Sequence, residues 1–262
     1  MSETPLDMAY AAMQAAADDD GARLRFYERL ADAELFIMLE KEPQDDQIAP
    51  EIFETADATF VLVFDTEDRL SRFVNRTVAY AALSGRAIAN MLAGQGIGLA
   101  VNPEVAPSAI LIPPTAVDWL ADMLTHAPDE VEARPVVFSA PTGLPEVLLK
   151  TLDAKLATAA GLAQNAYLTG VTYENGVKSH LLGFVGALTE AEPALARAVN
   201  EALTFSGTEA AALDVGFFDP ADAMVALLAR KGLRFDLPVP NRAKHPASAA
   251  PGSDPDNPPK LR

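Results

Sequence analysis

The sequence predicts an α+β (mixed α/β) protein in two parts. The N-terminal part is a mixed sheet with flanking helices. The C-terminal part is ferredoxin-like, in the order β-α-β-β-α-β, and a disordered tail follows it. Three observations carry this prediction. Half of the 262 residues are hydrophobic and 22% are charged, a balance that buries a core. Apolar runs of strand length alternate with segments of helical period. Glu174-Asn175-Gly176 separates two apolar runs, and Asn-Gly in that setting is the strongest short-range hairpin signal.

Thr4, Pro5 and Asp7 read as a helix start: a capping hydroxyl, a proline in the first turn and an acid at the dipole's positive end. Leu6, Tyr10 and Met13 follow at helical spacing. The run Asp18-Asp19-Asp20 cannot converge on one cation from a helix, so it is read as a turn plus the N-cap of a helix over 21–32. Strand length and apolar content mark 34–41 and, more weakly, 51–55, with a polar loop at 43–46 between them. The continuous Phe-Val-Leu-Val-Phe within 59–64 predicts a strand covered on both faces. Asp65 and Thr66 then cap a helix with Leu70, Phe73 and Val74 facing inward.

A strand at 78–83, a helix at 85–93 and strands at 97–101 and 108–112 follow, with an Asn102-Pro103 turn between the last two. Gly94, Gly96 and Gly98 close a helix and lead into a strand. That is the reverse of a dinucleotide loop, so they are expected to be cap and turn residues. Pro113-Pro114 precedes a helix at 115–124. The charged segment 126–134 reads as a linker, giving parts at 1–125 and 135–236 and a Pro/Ala-rich tail at 237–262. Within the second part, strands fall at 135–139, 165–173, 177–187 and 212–217, and helices at 145–159 and 190–205. A last helix is expected from Asp219-Pro220 to 230.

Three stretches, GLAVNP at 98–103, FVLVFDTEDRL at 60–70 and the helix of Trp119, resemble the SseB (enhanced serine sensitivity) family. The matching positions are Phe64, Asp65-Thr66 and the Gly98-Leu99-Ala100-Val101-Asn102-Pro103 turn. Residues 144–217, with Ala166-Tyr167-Leu168 in the first hairpin strand, resemble the family's second domain. The resemblance implies an N-terminal SseB domain, a second SseB-like domain and no settled biochemical activity. It also implies a possible indirect connection to sulfurtransferases or serine metabolism.

Composition excludes several chemistries. With no cysteine, the chain makes no disulfide or thiolate metal site and carries no persulfide of its own. A net charge of −17 argues against nucleic acid and anionic membranes as partners. No P-loop, HExxH or nucleophile-elbow pattern occurs, and His126, His180 and His245 are too scattered for a zinc site. No cofactor is expected. The first twenty residues lack signal-peptide character, and no window approaches the ~20 apolar residues of a membrane span, so a cytoplasmic location is expected.

One charge pattern asks for more. No acid occurs between Asp68 and Glu104, where the chain's average would place about five, yet Arg69, Arg72, Arg76 and Arg86 do. Arg69, Arg72 and Arg76 fall at i, i+3 and i+7, one stripe of the helix after Thr66. Three readings stay open. The arginines are solvated or paired with acids such as Glu190, Glu192, Glu201 and Glu209. Alternatively they receive an acidic protein partner or small anion, with Asp65 and Asn102 nearby, or they clamp the two parts together. The leading expectation is a non-enzymatic binding or regulatory protein with a protein partner. The rival is an enzyme using Asp65, Arg86 and Asn102 in a cleft between the parts.

Overall fold

Two sheets with helices on both faces organise the chain. The computed structural model describes residues 3–42, 48–56, 58–125, 134–207 and 213–239. The predicted loop at 43–46, residues 126–133 of the linker, Glu209 and the tail from 240 onward lie outside the described residues.

The first sheet contains β1 (Glu34–Leu39), β2 (Ile52–Glu54), β3 (Thr59–Phe64), β4 (Ala79–Ser84), β5 (Ile97–Val101) and β6 (Ile110–Ile112). Its order is β4-β1-β3-β5-β6, and β2 pairs with the other half of the β3 edge that β1 uses. β3 is central, antiparallel to β1 and β2 and parallel to β5. Its residues alternate as a doubly covered strand must. Val61 and Val63 enter a large core with Phe26, Leu30, Ile88 and Leu120, while Phe60, Leu62 and Phe64 enter a smaller one with Met38 and Leu70. The large core is closed by α1 (Pro5–Ala15), α2 (Asp20–Asp32), α4 (Gly85–Leu92) and α5 (Pro114–Thr125). Among the described helices only α3 (Glu67–Val74) covers the smaller one.

The caps follow the sequence signals. Thr4 and Asp7 form a capping box on α1, Asp19 accepts from Gly21 N at 2.9 Å, and Thr66 and Ser84 cap α3 and α4. Gly94 and Gly96, with φ of 72° and 69°, end α4 and lead into β5 as expected. Gly85 serves close approach instead: a Cβ there would stand 1.9 Å from the Leu30 carbonyl oxygen, so α4 starts directly against α2. The arginine stripe needs correcting. Asn75 turns left-handed at φ 48° and ends α3, so Arg76 lies beyond the helix, and Arg69 points into the protein.

The second sheet holds β7 (Pro135–Ser139), β8 (Asn165–Tyr173), β9 (Lys178–Val185), β10 (Leu213–Phe218) and β11 (Leu233–Asp236). The predicted chain order β-α-β-β-α-β and the Asn-Gly hairpin are present, but the ferredoxin-like arrangement is not. The spatial order is β10-β9-β8, with β7 and β11 sharing the far edge of β8. Pro135 has no N–H to give a ladder, and a bulge at 135–137 breaks pairing, so β7 lies at an edge rather than between parallel strands. α6 (Glu146–Thr158) and α7 (Glu192–Phe205) cover one face and α8 (Ala223–Lys231) the other. Two further differences follow from caps. Asp222 rather than Asp219 starts α8, and the Leu-Arg-Phe-Asp after Gly232 forms β11, whose Phe235 fills the core.

The two bodies share packing. Phe205, at the end of α7, is fully buried in the large core of the first sheet. The Trp119 ring meets it edge-on at 6.4 Å and meets Tyr27 at 5.3 Å. Phe205→Ala is expected to remove about 3–5 kcal/mol of stability in denaturant unfolding. It should also shift the emission of Trp119, the chain's one tryptophan, to longer wavelength.

Candidate functional site

The six charged or polar residues singled out by sequence separate into two ionic clusters and a surface remainder. The first cluster forms where three chain segments meet. At the start of α1 the capping box places Asp7 inward. At the β3–α3 junction Asp65 leaves the strand, and Arg69 sits one turn into the helix. After β5, Asn102 adopts φ 46° and turns the chain back toward Ser108. Asn102 accepts from Asp65 N at 3.1 Å through its side-chain oxygen, and its own N donates to the Val63 carbonyl at 2.9 Å.

The guanidinium of Arg69 is held from two sides. Nη1 donates to both oxygens of Asp65 at 2.7 and 2.8 Å and to Asp7 Oδ1 at 3.1 Å, while Nη2 donates to Asp7 Oδ2. Thr4 Oγ1 donates to Asp65 Oδ2 at 2.6 Å. Ser108 Oγ donates to Asp7 Oδ1 at 2.6 Å and accepts from Asn102 Nδ2 at 2.9 Å. The three charged side chains are at most 4% exposed. Burial alone would raise the Asp7 carboxyl. Hydrogen bonds from Arg69, Ser108 and the Thr4 backbone outweigh it and hold the group well below the usual carboxylate range.

This closed network cannot receive an external anion, because its one cation is already divided between two carboxylates. What it does chemically is fix the relative positions of the α1 start, the β3–α3 junction and the β5–β6 turn. The sequence reasoning found Asp65, Arg69 and Asn102 but assigned no network role to Asp7 or Ser108. They lie 62 residues from Arg69 and 101 residues from Asp7, respectively, and no local pattern spans that distance.

Arg86 belongs to the second cluster, between the two bodies. It forks onto Glu201 of α7, with both contacts at 3.0 Å, and reaches Asp32 of α2 at 2.6 Å. Lys155 of α6 donates to Asp32 at 2.6 Å and Glu201 at 3.2 Å and stands 3.5 Å from Glu28. Asp65 and Asn102 are therefore not in a common cleft with Arg86. The clamp reading holds for Arg86 alone of the four arginines. Arg72 pairs with Asp68 on the surface at 2.6 Å, and Arg76 is exposed. Among the described residues no group of three His, Asp or Glu side chains is placed to hold a metal ion. His180 lies on β9 with Nε2 3.0 Å from the Thr142 carbonyl.

Arg69→Met leaves two buried carboxylates facing each other, so a loss of about 3–5 kcal/mol is expected in urea unfolding. Arg72→Met should stay within about 0.5 kcal/mol of the parent. Because the folded-state Asp7 is held low, its contribution is complete above the ordinary value of 3.8 and lost as pH falls through the lowered one. Asp7→Asn should therefore be most destabilised near neutrality, with the gap to the parent closing in acid.

Comparison with known proteins bears on the first body. Residues 8–119 match the SseB protein N-terminal domain. Neither a curated protein nor a solved structure matches the chain. Asp65, Arg69, Asn102 and Ser108 all fall inside the matched segment. The first body is thereby identified as an SseB protein N-terminal domain.

Proposed function

We propose that this SseB-family chain is a non-enzymatic, cytoplasmic binding or regulatory protein that acts through contact with another protein. The observation that carries the reading is an incompletely covered sheet face. Strand register puts Phe53, Phe60, Gly98, Ala100 and Leu111 on the face that α3 covers. α3 is only eight residues long and reaches Leu62 and Phe64, leaving the far end of the face open. There Phe53 is 47% and Leu111 51% exposed, beside an open groove of about 760 Å³ lined by Thr55, Phe60, Pro113, Pro114 and Thr115. Exposed aromatic and aliphatic side chains around a groove are characteristic of protein-contact surfaces.

The deeply buried Arg69 supports the same reading from the other side. The strongest anion-binding group of the acid-free block is consumed within the fold, so the partner meets an apolar surface with Arg72 and Arg76 at most on its border. Residues 135–236 are read as the family's second domain, docked to the first by Phe205 and the Arg86 cluster. Any connection to serine metabolism or sulfur transfer would then run through the partner. No helix among the described residues is long and apolar enough to cross a membrane.

Phe53→Asp with Leu111→Asp changes two exposed positions and should leave the melting midpoint nearly unchanged. In crosslinking from native extract, the double variant is expected to lose the partner retained by the parent and by Arg72→Glu/Arg76→Glu. Equal capture by all three proteins would overturn the assignment of this face. A saturable thermal shift with a small metabolite that turns over would overturn the non-enzymatic reading.

A further inference from the structure

The cluster between the two bodies has an unequal charge count. α2 contributes Glu28 and Asp32, α4 Arg86, α6 Lys155 and α7 Glu201, three carboxylates against two cations. Asp32 and Glu201 take the hydrogen bonds of both cations. Glu28 is left over: its side chain is 14% exposed, Oε1 has no hydrogen-bond partner, and Lys155 Nζ reaches it only at ion-pair distance. A carboxylate oxygen buried without a hydrogen bond carries much of its desolvation cost uncompensated.

We propose that this cluster is a proton-operated latch: uptake of one proton by Glu28 relieves the uncompensated burial of its carboxylate oxygen and tightens the docking of the two bodies. The groups facing Glu28 are known from each side. Lys155 of α6 and, from α2 itself, Asp32 and Arg29 act on Glu28, while Glu201 of α7 and Arg86 of α4 join the same cluster through Lys155 and Asp32. α1 and α5 bring aromatic rings to α2, Tyr10 against Phe26 and Trp119 against Tyr27.

The direction follows from the environment. Burial pushes the Glu28 carboxyl up, and Lys155 offsets this only in part. Burial also acts on Asp32, but Lys155 and Arg86 prevail and hold it down. A raised folded-state value means that the contribution of Glu28 is complete below its ordinary 4.5 and is lost as pH rises through the raised one. Asp32 works oppositely, contributing above its ordinary 3.8 and failing below it. Docking is therefore tightest in mild acid, above the Asp32 range, and loosens toward alkaline pH. Phe205 stays in the shared core throughout, so the latch changes tightness rather than separating the bodies.

Trp119 packs on Tyr27, the chain neighbour of Glu28, as well as on Phe205, so its emission reports changes in packing beside the latch. The test is a pH series from 8 down to the ordinary value of 4.5 on the full chain, following the melting midpoint and Trp119 emission. It compares the parent, Glu28→Gln and the surface control Glu174→Gln. Glu28→Gln should melt a few degrees above the parent at pH 8, show the acid-form emission there, and lose about half or more of the parent's pH response. Glu174→Gln should follow the parent. Parallel profiles for the parent and Glu28→Gln, or a Glu28→Gln protein melting lower at every pH, would overturn the latch. So would a parent whose Trp119 emission and midpoint do not respond between pH 8 and 4.5. This inference needs only the ion cluster and stands or falls independently of the partner surface.

Discussion

The guanidinium of Arg69, buried between Asp7 and Asp65, is the constraint on which the N-terminal body depends. Both carboxylates would be costly alone in the interior, and the arginine would be costly without them. Each is tolerable only while three distant segments hold their places. Thr4, Ser108 and Asn102 complete the hydrogen bonding, so the first helix, the central β3–α3 junction and the β5–β6 turn are set by one polar node. The Asn102-Pro103 turn gains a physical role from this. Its left-handed asparagine aims an amide that accepts from Asp65 N and donates to Ser108.

A second dependence joins the bodies. Phe205 from α7 completes the aromatic packing around Tyr27 and Trp119, and the ion cluster surrounds the same α2–α7 contact with charge. Apolar insertion is indifferent to pH, whereas the cluster is not. One contact thus combines a permanent anchor with an adjustable one. The first sheet completes its core with a residue from beyond the segment that matches the SseB N-terminal domain.

The surface follows from how these interior demands are met. Acids outnumber bases across the chain, yet the acid-free stretch supplies Arg69 to the buried network and Arg86 to the cluster between the bodies, where Lys155 adds a second cation. The local charge reversal therefore serves mostly internal pairing. The shortness of α3 leaves the Phe53–Leu111 end of its face uncovered, the surface proposed for partner contact.

Much of the local structure was legible in the sequence. Thr4 with Pro5 and Asp7, the aspartate run before α2, Phe-Val-Leu-Val-Phe and Glu174-Asn175-Gly176 each encode their conformation within a few residues. The family resemblance was legible for the same reason, since its motifs are strand, cap and turn signals. Strand order in the second sheet was not, because the edge position of β7 depends on which strand it pairs with and β11 was not anticipated beside it. The partners of the arginines were not either. A spacing of i, i+3, i+7 places side chains on one stripe but does not say whether a carboxylate 62 or 115 residues away will face it. The sequence determined the elements, their caps and the excess of acid. Only the tertiary structure decided that Arg69 is buried, that Arg86 bridges and that Glu28 Oε1 is buried without a hydrogen bond, because ion pairing depends on distances that chain folding alone creates.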